Sequence, residues 1–302
     1  MDFSALRLPG LKQSQRRAVF TAIWVVGIVL AYVILRQVLP QGLPPGVIFE
    51  GVVLGGLTSL TAMGLILVYR SARIFNFAQA AMGGLAASIA VIAVVGEHWN
   101  YWIAIVLGLI AAAITGVLID LLVTKWFSRA PRLIFTVATI GIAQILGAGE
   151  VALPDMFHNI SATTSFTTPF SASFTIDPIK FNANYVVALI VVPLVLLGLY
   201  LFFQRTDIGV AIKASADSEE RATLLGLPIK KLWMIVWVVT AVLSGIAAIL
   251  SAPIQGISLG VATGPDSLLI PLAAAVLAGM DSLFMAVVWS VALEILDQAV
   301  YW

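Results

Sequence analysis

Long apolar runs, separated by short polar or charged segments, make up most of this chain. Most of the runs reach the roughly 18 to 20 residues that an α-helix needs to cross the hydrocarbon core of a bilayer. The pattern therefore predicts an all-α polytopic membrane protein with about eight or nine transmembrane helices. The predicted spans are about residues 18–39, 47–69, 102–124, 133–152, 185–203, 232–252 and 283–300, and a run that follows residues 73–84 and ends near residue 95.

One further run, Leu268 to Gly279, is too short for a straightforward span. It is either a half-helix or a tilted span that is supported by its neighbours. Discontinuous helices occur in membranes where they are buried in protein or line a cavity.

Basic residues collect in alternate polar segments, at residues 1–17, 70–73, 125–132 and 205–231. By the positive-inside rule these segments face the cytoplasm, and the N-terminus is placed there with them. The first apolar run is long and has no small-residue cleavage site, so we interpret it as a retained helix rather than a signal peptide.

Residues 205–231 form the longest charge-dense stretch and hold nine of the 31 Asp, Glu, Lys and Arg residues. Asp217 is expected to cap a short helix over Ser218 to Leu225, with Glu220 completing a capping box. Gly226 occupies the place of a left-handed C-terminal residue, and a proline two positions later prevents continuation of the helix.

A helix of two turns is too short to be stable alone in water, so this one must lie against something. Ala222, Leu224, Leu225 and Leu227 are the expected apolar contacts. Two interpretations stay open: a solvated loop with one helical turn, or a docking helix for a soluble partner at the membrane surface.

Two uncharged amides, Asn76 and Gln79, lie three residues apart and share a helix face. Amides inside a membrane helix need hydrogen-bond partners or water. They therefore either form interhelical hydrogen bonds or line a translocation pathway, for which Gln144 is a weaker candidate. Glu150, near the end of its run, is expected to reach water.

Composition limits the remaining functions. The chain is 61% hydrophobic and 10% charged, with a mean hydropathy of +1.07, as expected of a multi-pass membrane protein. A net charge of +1 gives no basic surface for nucleic acid, and the absence of cysteine excludes thiolate metal sites. The sequence has no phosphate-binding loop, so we expect no ATP site and no cofactor in this chain.

Four short motifs follow one another in order along residues 48–300. They are Gly64 to Tyr69 with Ile74 to Ala78, then Arg132 to Gly141, then Arg205 to Leu227, and finally Ala275 to Ser282. The matching positions of the third motif are Gly209, Lys213, Ala214, Ala222, Leu225, Gly226 and Leu227. Together the motifs resemble the permease family of branched-chain amino acid ABC importers, which also includes urea and amide permeases. Gln79-Ala80-Ala81 departs from the family's His-Gly-acid, where pathway residues are expected.

The resemblance implies a permease subunit of an ATP-driven importer in a bacterial inner membrane. Residues 1–17 are then a cytoplasmic segment, 18–46 an additional helix with an outer turn, and 47–302 the permease domain. Within that domain, 153–184 is the outer loop, in which residues 171–176 weakly suggest a β-hairpin, and 205–231 is the cytoplasmic coupling loop.

The resemblance also implies partners. ATP-binding subunits would bind ATP and dock on a coupling helix formed by Asp217, Glu220, Arg221, Ala222, Leu224, Leu225, Gly226 and Leu227. A second permease subunit would complete the pathway, with Asn76, Gln79 and Gln144 as candidate lining residues. An external solute-binding protein would deliver the solute, and the outer loop either contacts it or caps the bundle.

Two other classes remain open. A secondary transporter or channel without an ATPase would be favoured by buried charge in mid-membrane, of which the sequence shows little. A membrane-embedded enzyme needs clustered acids or histidines, and only Glu294 and Asp297 approach that. The last apolar run ends at Trp302 without a polar tail, so we expect either a longer native chain or a helix supplied by a partner.

Overall fold

The computed structural model describes residues 42–127, 131–158, 160, 168–255 and 265–302. The predicted N-terminal segment 1–17 and the first predicted span, 18–39, lie outside the described residues. The helices are α1 Pro45–Ala72, α2 Gln79–Val91 with a π-helical turn Ile92–Gly96, α3 Tyr101–Phe127, α4 Arg132–His158, α5 Ala183–Arg205, α6 Asp207–Asp217, α7 Glu219–Leu224, α8 Ile229–Gln255, α9 Leu269–Leu277 after a 3₁₀ turn Pro265–Leu268, and α10 Leu283–Tyr301. The strands are β1 Ser173–Ile176 and β2 Ile179–Asn182.

Seven helices in the described part of the chain are long and apolar enough to cross a membrane. They are α1, α2 with its π-helical turn, α3, α4, α5, α8 and α10. The all-α polytopic prediction is therefore confirmed, and every predicted span within the described residues is helical.

Helix α9 has only nine residues, so it is about 14 Å long at roughly 1.5 Å per residue. The half-helix alternative for this segment is the one that the structure adopts. Gly279 and Met280, with φ of 71° and 53°, then turn the chain back. Ser282 caps α10 by accepting a hydrogen bond from the Met285 backbone N–H at 3.2 Å.

Helix α1 lies at the centre of the bundle and packs against α8, α9, α10 and α5. Its closest neighbour is the antiparallel α10, because Gly51 and Gly55 let the two backbones approach. A Cβ atom at Gly55 would meet the backbone of Val291, and one at Gly51 would meet that of Ile295. Small residues on α1 thus set the separation of these two helices.

The other helices surround this pair. Helix α8 packs against α1, α2 and α3, while α2 also packs against α3 and α4. Glu150 on α4 is fully buried, so the expectation that it reaches water is wrong. The reason is the packing of α4 on α2, where the Ser88 hydroxyl donates to the Glu150 backbone carbonyl at 2.5 Å.

The weakly predicted hairpin is present. Strands β1 and β2 pair antiparallel, with Phe174 opposite Phe181. These two rings stack at 5.3 Å, and the Phe181 ring meets Phe49 of α1 edge-on at 5.0 Å. The hairpin is therefore fastened to the beginning of α1 by aromatic packing.

Gly55→Ala should destabilise the bundle, because the new methyl group collides with the α10 backbone. Overpacking of this kind costs about 1–3 kcal/mol. A matched control is Gly198→Ala on α5, where a Cβ atom meets nothing within 4 Å. Thermal unfolding in detergent should show a lower midpoint for Gly55→Ala alone. Equal midpoints for the two variants would contradict the packing described for α1 and α10.

Candidate functional site

The charge-dense stretch folds into two consecutive helices, α6 and α7. The Thr206 hydroxyl caps α6 by accepting from the Gly209 backbone N–H at 3.0 Å. Ser218 caps α7, since its hydroxyl accepts from the Arg221 backbone N–H at 3.4 Å. The prediction that Asp217 is the cap is wrong, because Asp217 is the last residue of α6. The backbone is extended at Ser218, with φ of −158° and ψ of 106°, and there the two helices separate.

The end of α7 is as predicted. Gly226 has φ of 78°, a conformation that glycine adopts without steric cost. The Gly226 N–H donates to the Thr223 carbonyl at 2.9 Å, and the Leu227 N–H donates to the Ala222 carbonyl at 3.0 Å. This pair of bonds is a Schellman motif, which terminates the helix after six residues.

The four apolar residues expected to make contacts divide into two pairs. Ala222 is buried, and Leu227 packs against the core of the bundle. Leu224 and Leu225 are 87% and 79% exposed. Glu220 and Arg221 are exposed as well. Helix α7 thus rests on the bundle by one face, while Leu224 at its end and Leu225 directly after it are exposed.

Arg70, at the end of α1, joins three elements. Its guanidinium lies 3.6 Å from the Asp217 carboxylate and 3.4 Å from the Asp281 carboxylate. It also donates to the Asp281 backbone carbonyl at 3.2 Å. We call this end of the bundle the charged end. Both carboxylates are well exposed, so each ion pair contributes at most about 1 kcal/mol.

Arg73 reinforces the same junction. It follows α1 in a left-handed conformation with φ of 54°. Its guanidinium donates to the Ala216 carbonyl at 3.3 Å and lies 5.9 Å from the centre of the Tyr69 ring.

The ion pair between Asp217 and Arg70 of α1 is a contact that the capping prediction did not include. Sequence reasoning missed Arg70 and Asp281; their opposite charges at helix ends were the available signal.

Asn76 and Gln79 are brought together, but the expectation that they share a helix face is wrong, because Asn76 precedes α2, which begins at Gln79. Both are fully buried, and the Asn76 amide donates to the Gln79 side-chain oxygen at 2.9 Å. The Gln79 amide donates to the Thr240 carbonyl at 2.9 Å and to the Ser244 hydroxyl at 2.7 Å. A Cβ atom at Gly64 would meet the Gln79 amide. The bonds from Gln79 to Thr240 and Ser244 connect α2 to α8 and are the interhelical hydrogen bonds of the first alternative.

Gln144 lies apart from this pair, on the exposed face of α4. The structure therefore does not join the three pathway candidates into one site. Among the residues that the structure describes, no group of three or more His, Cys, Asp or Glu side chains could hold a metal ion.

Comparisons with known proteins agree with the motifs. The model of a family described as the permease component of the branched-chain amino acid transport system matches residues 47–302. A probable branched-chain amino acid transport permease protein LivH of Methanocaldococcus jannaschii is 27% identical over 216 residues, covering 70% of this chain and 67% of its own length.

The high-affinity branched-chain amino acid transport system permease protein LivH of Salmonella typhimurium is 28% identical over 226 residues, covering 69% of this chain and 70% of its own length. The LivH protein of Escherichia coli strain K12 is 27% identical over the same number of residues. No solved structure matches. Since the family match covers most of the sequence, the chain belongs to the family of permease components of branched-chain amino acid transport systems.

Proposed function

We propose that this chain is the transmembrane permease subunit of an ATP-driven ABC importer for branched-chain amino acids or related small polar solutes. The observation that carries the proposal is the exposure of Leu224 and Leu225 on a helix held at the charged end of the bundle. Two leucines in that position are an anchor for a partner protein, because exposed large apolar side chains clustered on a polar surface commonly mark interaction sites.

The contacts of Arg70 suggest how such a partner acts on the membrane helices. A push on α7 moves Asp217 at its N-terminal side, and Arg70 ties Asp217 to the end of α1. The same guanidinium holds Asp281 in the turn between α9 and α10. Closure of two ATP-binding subunits would therefore reach α1 and α10 together through one side chain. ATP binds to those subunits, not to this chain, which acts as a transporter rather than an enzyme.

The remaining partners follow from the same assignment. Residues 205–231 face the cytoplasm of a bacterial cell, and the hairpin of β1 and β2 faces outward. A second permease subunit covers part of the exposed apolar surface of the bundle. An external solute-binding protein delivers the solute at the hairpin side. Asn76, Gln79 and Gln144 remain candidate pathway residues for a conformation in which the bundle opens.

A secondary transporter or channel is the second candidate. The observation in its favour is that Asp120, Glu150 and Glu294 are buried in helices that are long enough to cross the membrane. Ionisable residues in such positions commonly belong to ion or solute pathways. Transport in vesicles without any ATP-binding subunit would establish this candidate and exclude the importer.

Leu224→Asp should weaken association with the ATP-binding subunit by roughly tenfold or more, because it places a charge where an apolar anchor is buried. Leu224→Met, which keeps the volume and apolar character, should retain association. The measurement is co-purification of the ATPase from detergent-solubilised membranes, with thermal unfolding to verify that both variants fold. Equal recovery of the ATPase with both variants would refute the docking role.

Gln79→Leu should destabilise the protein by about 1–3 kcal/mol, since the Asn76 amide and the Ser244 hydroxyl lose their partner in a buried site. Gln144→Leu makes the same substitution at an exposed amide and should change the free energy of unfolding by no more than about 0.5 kcal/mol. Thermal unfolding in detergent compares the two. If Gln79→Leu keeps full stability and loses transport, the amide acts in the pathway and not as a fastening between helices.

A further inference from the structure

A cavity of about 390 Å³ lies between α1, α2, α8, α9 and α10. Its volume is within the roughly 300–1,000 Å³ typical of small-molecule sites. Glu294, Thr61 and Ser244 are its buried polar lining residues, whereas Gln255 and Tyr301 are exposed. The cavity thus leads from an exposed rim, at the end of the bundle away from the charged end, to a buried carboxyl group.

Glu294 is the most informative residue of this cavity. It is 6% exposed, and its Oε1 accepts a hydrogen bond from the Thr58 hydroxyl at 2.5 Å. The Thr58 hydroxyl uses one acceptor position of this carboxyl group, which retains capacity for a further donor inside the cavity. A second carboxyl group, Asp297, lines the cavity three residues further along α10.

The charge of the lining is one-sided. Two carboxyl groups face the cavity, and none of the described residues that line it is Lys, Arg or His. A buried carboxylate is costly unless a positive group or several donors compensate it. A ligand with a cationic N–H donor group would best compensate the negative charge of these carboxyl groups.

Part of the lining is apolar, alongside uncharged polar side chains such as those of Thr58, Ser244 and Ser251. Leu54, Leu57, Ile270 and Pro271 line the same space, together with small residues of α8. Carboxyl groups and aliphatic side chains around the same cavity suit a small solute with an amino group and an aliphatic body. The first turn of α9 forms part of this lining, which gives the half-helix a role that a complete span would not have.

We propose that this cavity binds the protonated amino group of the transported solute, with Glu294 as its counter-ion and Leu57 and Ile270 against its aliphatic part. The proposal rests on the proposed function and adds to it the group of the solute that the membrane subunit recognises. It also explains why Glu294 is a carboxylic acid, since a neutral amide at that place would satisfy Thr58 equally well.

The test is a competition experiment on the purified full chain in lipid nanodiscs, with radiolabelled L-leucine as the probe. The competitors are 3-methylbutylamine, which keeps the amino group and lacks the carboxylate, and 4-methylpentanoate, which keeps the carboxylate and lacks the amino group. The amine should displace leucine, and the acid should not. Displacement by the acid alone, or by potassium ions as effectively as by the amine, would overturn the proposal.

Two substitutions test whether leucine binds at Glu294. Glu294→Gln should lower leucine affinity by roughly tenfold or more. Glu50→Gln is the matched control, because Glu50 also accepts a hydrogen bond from a hydroxyl on another helix, that of Tyr185 at 2.6 Å, yet does not line the cavity. Unchanged affinity for Glu294→Gln would refute the site.

Should Glu294→Gln fail to fold, Ser251→Leu decides the matter, since it narrows the cavity and leaves the carboxyl group in place. It should abolish leucine binding, and retained binding would refute the site. Failure of the proposed function is seen separately, as absence of an ATP-binding subunit from preparations of the unaltered protein. The competition series is independent of that result.

Discussion

A bilayer offers no hydrogen-bond partners, so polar groups inside this bundle are costly unless the protein itself supplies a partner. That constraint explains the contacts that hold the helices in register. Gln79 is joined to Asn76 and to two groups of α8, and Thr58 of α1 is joined to Glu294 of α10. Glycines on α1 bring the helix backbones close enough for such short side chains to meet.

The same constraint separates two kinds of polar residue. The donors and acceptors of Gln79 are matched within the bundle, which is the arrangement of a structural contact. The carboxyl group of Glu294 borders a cavity with no basic residue among the described lining, and there we propose a binding site. At the charged end, water removes the constraint, and there the chain exposes Leu224 and Leu225 beside ion pairs that connect α1, α6 and the turn before α10.

Local signals made part of this structure predictable. The length of the apolar runs predicted the spans, and the short run before Gly279 limited that segment to a half-helix or a tilted span. Gly226 was predictable as the end of α7, because a Schellman motif depends on a few neighbouring residues. The cap of α7 was misplaced by one residue because Asp217 and Ser218 are both good capping residues. In the structure Ser218 is the cap, and Asp217 instead forms an ion pair with Arg70. Arg70 lies in a distant part of the sequence, so a local pattern does not show this contact.

The remaining features could not be predicted, because they depend on contacts between residues that are far apart in the sequence. Thr58 and Glu294 are 236 residues apart in the chain, so no local pattern indicates their hydrogen bond or the cavity beside it. Burial of Glu150 depends likewise on the packing of α4 against α2. The outward direction of Leu224 could not be predicted either, because a six-residue helix is too short to show a helical period.

The central claim is that α7 is the surface on which a cytoplasmic ATP-binding subunit docks. The chain contains no cysteine, so Leu224→Cys introduces its only thiol. Thiol-directed photo-crosslinking in membranes of cells that express the whole transport system tests the claim directly, with Leu194→Cys, exposed on α5, as the control. The account predicts a crosslink to a nucleotide-binding protein from position 224 and no crosslink to that protein from position 194. A position 224 that crosslinks to no protein, with and without ATP, would contradict it.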